Sequence, residues 1–173
     1  MDLAHELERW HDFYILVGTA GATLVALLFV AVSVGSGYLT EERAEATRTF
    51  FSPVVVHFST VSFLACIALV PGHRDALFAA LTAAAGVFGL GVSAYTTAKF
   101  FGRYRTPYVS DHLAYVALPI LGYCALLGAS VLARLGRADA LEVLAGALLL
   151  LLLVNIRNAW DLMLSMVRRA RDS

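Results

Sequence analysis

Long apolar blocks separated by short polar breaks dominate this chain. Five of them, at 13–38, 51–70, 76–98, 112–133 and 140–163, each approach or exceed the roughly 20 apolar residues that an α-helix needs to cross a bilayer. None shows the two-residue alternation of a barrel strand. The breaks carry turn chemistry: Pro71-Gly72-His73-Arg74, the run from Gly102 to Pro107, and Arg134-Leu135-Gly136-Arg137. Thr40-Glu41-Glu42 reads as a helix N-cap with acids in its first turn, so a short cytosolic helix is expected to lead into the second span. The pattern predicts one all-α integral membrane domain over 1–173, a bundle of five transmembrane helices. Residues 1–12 form an interfacial segment and 164–173 a basic tail.

Charge placement sets an expected direction, because cytoplasmic segments collect Lys and Arg. With the N-terminus outside, Arg43, Arg48, Lys99, Arg103, Arg105, Arg168, Arg169 and Arg171 fall in the cytoplasm. Only Arg9, Arg74, Arg134 and Arg137 fall outside, which favours an outer N-terminus and a cytoplasmic C-terminus. Trp10, Phe13 and Tyr14 then sit where an outer aromatic belt belongs, and Trp160 in the inner one. The chain balances 13 basic against 13 acidic residues, so no basic excess points to nucleic acid. Acids flank the first apolar block, which is too long for a cleavable signal. Cys66 and Cys124 form no metal or disulfide pattern, and their apolar surroundings read as buried, inert thiols.

Small residues mark the expected helix contacts, since lipid gives apolar side chains no reason to prefer a neighbouring helix. They are Gly18, Ala22 and Ala26 with Gly21 beside them; Ala85, Gly86, Gly89 and Gly91; and Ala125, Ala129 and Ala133. The leucines at 148–153 are expected to face lipid on one side. Pro119, inside the fourth block, removes the helical bond to the Tyr115 carbonyl.

Polar residues inside apolar blocks carry the candidate chemistry, because burying them in hydrocarbon is costly. The second block holds His57, and the fifth holds Asn155, Arg157, Asn158 and Asp161. Both groups lie roughly 9–12 Å from the inner edge at 1.5 Å per residue. His112, Tyr115, Thr96, Ser33 and Tyr38 fall at the same end of their blocks. A polar cavity or network opening to the cytoplasm is expected, closed by an apolar outer half, with His57 meeting Asn155–Asp161. Helical phase puts Asn158, Asp161 and Ser165 on one face, and Arg157 and Asp161 at ion-pair spacing. Each has a plainer role: His57, Asn155 and Asn158 as hydrogen-bonded packing residues, and Arg157 reaching to headgroups. His5 and His11 lack zincin spacing, because position 9 is Arg.

The run Gly18-Thr19-Ala20-Gly21-Ala22-Thr23-Leu24-Val25-Ala26-Leu27-Leu28-Phe29-Val30-Ala31-Val32-Ser33, with Asn155-Ile156-Arg157-Asn158-Ala159-Trp160-Asp161-Leu162 near the end, resembles a group of small, uncharacterised multi-pass bacterial membrane proteins. The resemblance implies a bacterial inner membrane and carries no activity, cofactor or site residue.

Two functional expectations follow. One is an oligomeric proton or cation channel or transport protein, with His57 and Asp161 as ion sites. The other is a non-enzymatic accessory or assembly subunit whose polar cluster holds its helices together. The expected partners are the lipid bilayer and either further copies of the chain or a membrane complex. No catalytic motif or cofactor fingerprint is present in the sequence; a haem held by His57 with His112 is the remaining reading.

Overall fold

The computed structural model describes residues 3–35, 41–72, 75–103, 112–137 and 139–171, and among these every regular element is helical. In order they are α1 (Leu3–Arg9), α2 (His11–Gly35), α3 (Glu41–Ala68), α4 (Asp75–Arg103), a π-helical turn (Leu113–Ala117), α5 (Leu118–Arg134) and α6 (Ala140–Arg171). Four segments are long and apolar enough to cross a membrane: His11–Ser33, Asp75–Lys99, Leu113–Arg134 and Ala140–Leu164. They mark a membrane protein. The second expected span differs. Its helix is unbroken over 28 residues, but its apolar part, Pro53–Ala68, falls short of a full crossing by composition. The helix expected to precede this span is continuous with it, because nothing between Glu41 and Ala68 interrupts the backbone pattern, Pro53 included. Thr40, Ser36, Tyr38, His73, Arg74 and Asp111 lie outside the described residues.

Glycine in the left-handed region makes two of the sharp reversals. Gly72 has φ 73° and Gly136 φ 66°. At the second, the Arg137 N–H donates to the Leu132 carbonyl and the Gly136 N–H to the Ala133 carbonyl, each at 3.0 Å. This paired closure satisfies two carbonyls that the end of α5 would otherwise leave bare. Both turns lie at one end of the bundle, the turn end; Pro53 and Pro119 lie toward the other, the proline end.

Helices α3, α4, α5 and α6 form a four-helix ring. Each packs on two neighbours, so α3 faces α5 across the centre and α4 faces α6. Helix α2 lies outside the ring, mainly against α3. That crossing is made at Gly18 and Gly21: a Cβ on Gly21 would stand 2.6 Å from Ser62 Oγ and 3.1 Å from the Phe58 carbonyl. Ser62 donates to the Gly18 carbonyl at 3.2 Å. The expected row of Gly18, Ala22 and Ala26 is corrected here, since Ala22 and Ala26 are exposed and the contact follows Gly18, Gly21, Val17 and Leu28. Likewise Gly91 is exposed while Gly86 and Gly89 are buried. Ala129 and Ala133 are buried as expected, and Gly122, which receives Leu151, joins them. Of the leucine run, Leu149 and Leu153 face outward while Leu148, Leu151 and Leu152 are in the core. Cys66 and Cys124 are exposed on the apolar perimeter, not buried, because their helix positions turn away from the ring. Tyr14 is fully buried and packs edge-on with Phe13.

Candidate functional site

Polar side chains gather in the proline-end half of the ring, while the turn-end half is filled chiefly by Leu64, Phe78, Leu126, Leu141, Leu144 and Leu148. Two separate constellations result where one was expected.

The first crosses the centre of the ring. His57 on α3 is 3% exposed, and its Nδ1 lies 2.5 Å from the hydroxyl of Tyr123 on α5. The phenol donates to Nδ1 in one imidazole tautomer, and Nδ1–H donates to the phenol oxygen in the other. Thr60, one turn along from His57, sits beside the same hydroxyl and donates its own hydrogen to the Val56 carbonyl at 2.9 Å. Space for the phenol comes from α4, where Gly89 lies against the ring face; any Cβ there would fall inside the ring.

The second sits nearer the proline end, between α6 and the π-helical turn. The Leu118 N–H bonds back to the Leu113 carbonyl, five residues earlier. The next bond in that register would run from residue 119 to the Ala114 carbonyl, but proline has no N–H to give. Asn158 fills the gap: its Nδ2 donates to the Ala114 carbonyl at 3.0 Å. In return the Tyr115 hydroxyl donates to the Asn158 carbonyl at 3.3 Å. The carbonyl supplied by a side chain is thus Ala114, one residue before the Tyr115 expected from ordinary α-helical spacing. The π-helical register moves the gap. Arg157 and Asp161 do form the i,i+4 ion pair, at 3.2 Å, each with about 40% of its side chain exposed. Arg157 also reaches Asn158 Oδ1 at 3.5 Å.

The remaining candidates divide. Asn155 is completely buried; its Nδ2 donates to the Leu151 carbonyl at 2.6 Å, and its Oδ1 has no partner. His112 is half-buried at the start of the π-helical turn, on the strand of chain that faces the Asp161 level of α6. His57 does not meet Asn155–Asp161 through any hydrogen bond; its partner is Tyr123. Tyr123 and Thr60 were not singled out in the sequence as members of the site. Tyr123 carried a usable signal: a phenol deep in an apolar block requires a polar partner, and His57 was the available one. Among the described residues, no group of three or more His, Cys, Asp or Glu side chains converges to hold a metal ion.

No protein-family model, curated protein or solved structure matches this chain.

Proposed function

We propose that this chain is a five-crossing protein of the bacterial cytoplasmic membrane, with its N-terminus outside, and that it serves as a non-enzymatic accessory or assembly subunit. The crossing count rests on α3. Its 28 residues span about 42 Å, beyond the roughly 30 Å hydrocarbon thickness, and it packs in the ring beside α4 and α6, each of which contains a segment long and apolar enough to cross a membrane. The excess of Arg at the proline end supports a cytoplasmic location for that end.

One observation carries the subunit reading. Polar groups on different helical segments of the ring bind one another: His57 with Tyr123, Asn158 with Ala114, and Tyr115 with Asn158. Such pairs hold helices together in lipid, where apolar contacts alone do not select a neighbour. The turn-end core is mainly leucine, alanine and phenylalanine, and its buried hydroxyls, Thr82 and Ser130, are each bonded within their own helix.

Proton or cation transport is the second reading, favoured by the central placement of His57, whose ordinary pKa lies near neutrality. Proton and cation flux into liposomes, compared between wild type and His57→Ala, separates the two. The subunit reading expects no flux from either. Flux that His57→Ala abolishes overturns it in favour of transport.

A further inference from the structure

Among the described residues, three buried side-chain atoms find no protein partner: Tyr14 Oη, Ser93 Oγ and Asn155 Oδ1. Tyr14 stands alone on α2. The other two share a level of the ring. Gly86 meets Leu127 and Gly89 meets Tyr123, which fixes how α4 runs against α5. Gly122 meets Leu151 and Ala114 meets Asn158, which fixes α5 against α6. Carried one turn toward the proline end, these registers bring Ser93 level with Pro119 and Asn155 level with Leu118, within about 3 Å along the axis. Helices α4 and α6 face each other across the ring, and both side chains are buried within it. The other two helices of that slice bring prolines: Pro119 on α5, one turn before Tyr123, and buried Pro53 on α3, one turn before His57. Every helix at this level therefore contributes either an unpaired polar atom or a backbone position that cannot donate.

The chemistry of the pair is specific. Asn155 gives one of its two amide hydrogens to the Leu151 carbonyl, and its buried Oδ1 still needs a donor. The Ser93 hydroxyl has a hydrogen to give and lacks the usual bond to the carbonyl one turn back. A water molecule donates to the first and accepts from the second. Two such oxygens are too few for a cation, which takes about six.

We propose that the slice between Ser93 and Asn155 is a buried water site, one turn from the His57–Tyr123 pair toward the proline end. The site does not depend on either reading of function, so its test is separate from the flux assay.

Asn155 and Asn158 are the only asparagines in the chain, so asparagine-selective ¹⁵N labelling gives two side-chain signals in liposomes. Water-to-protein polarisation transfer in solid-state NMR is expected to reach the Asn155 amide, and Ser93→Ala is expected to abolish that transfer while Asn158 is unchanged. No transfer to Asn155 in the wild type overturns the proposal, as does transfer that Ser93→Ala leaves intact. Thermal unfolding gives an independent sign. A hydrated Asn155 makes Asn155→Leu unfold about 2–4 °C lower. A dry, orphaned oxygen makes the same substitution unfold higher, because it removes an unpaid desolvation cost, and that outcome also overturns the site.

Discussion

The two halves of the four-helix ring solve the same packing problem by different means. At the turn end, large side chains fill the centre and polar bonds are local: Thr82 to Phe78 and Ser130 to Leu127, each within its own helix. At the proline end, hydrogen bonds run between helices, and the backbone departs from α-helical spacing to accept one of them. The difference teaches where specificity lies. Apolar side chains fit many neighbours in lipid, whereas Asn158 has one bare carbonyl to serve and His57 one phenol. The turn-end half supplies bulk; the proline-end half fixes which helix lies beside which.

Gly89 joins the halves, and the largest effect is expected there. A Cβ at that position occupies the space of the Tyr123 ring. Gly89→Val therefore displaces the phenol, separates α4 from α5 and breaks the His57 bond together. The expected cost is about 3 kcal/mol or more, at the top of the range for overpacked cores. Thermal unfolding in detergent, read with size-exclusion profiles, checks it. A variant as stable as wild type would show that the glycine notch is not what positions Tyr123.

Next is Tyr123→Phe, which keeps the ring and leaves His57 Nδ1 without its partner. Membrane hydrogen bonds average about 0.6 kcal/mol and reach about 1.7, and a stranded buried group belongs near the top of that range. His57→Leu combined with Tyr123→Phe is expected to recover most of the loss, because two apolar groups leave nothing unpaired. A double-mutant cycle measures the coupling directly. Additive losses would mean that the two side chains stabilise the bundle independently.

Asn158→Leu is expected to cost about 1 kcal/mol, since it leaves the buried Ala114 carbonyl without its donor. Pro119 supplies the sharper comparison. Pro119→Ala restores an N–H to the same stretch of backbone, so it should rescue Asn158→Leu while doing little in the wild type. Failure of the rescue would detach Asn158 from the proline gap.

The helices themselves were legible because their signal is local. Long apolar runs, Gly72 and Gly136 mark where they begin and turn. The polar end of the bundle was legible for the same reason, but the levels within it were not: His57 lies level with Tyr123, whereas Asn158 meets Ala114, well nearer the proline end. Which groups meet was not legible. Depth does not say which helix lies across the ring, and His57 faces α5 where it was expected to face α6. The Pro119 gap was found, but its carbonyl was misplaced by one residue, because nothing local distinguishes an α-helical from a π-helical register. The row Gly18, Ala22, Ala26 failed for a related reason. Spacing identifies faces that permit close approach, and only the partner helix chooses between Ala22 and Gly21.

The smallest effect is expected outside the apolar blocks, at the turn between α5 and α6. Arg137 Nε and Nη2 donate to the two Asp139 carboxylate oxygens at 3.0 and 3.1 Å. The guanidinium's hydrogen bonds hold the Asp139 carboxyl below the usual carboxylate range. A depressed pKa lends stability above the unfolded value, and that contribution is lost as pH falls through the folded one. Both side chains are exposed, however, so water and salt screen the pair. Arg137→Ala is therefore expected to raise the Asp139 pKa, read from its carboxyl ¹³C shift against pH, while the unfolding midpoint at neutral pH stays where it was. The turn is held by the Gly136 backbone bonds, which the substitution leaves in place. A lowered midpoint would assign part of that hold to the ion pair and narrow the contrast between local bonding at the turn end and interhelical bonding at the proline end.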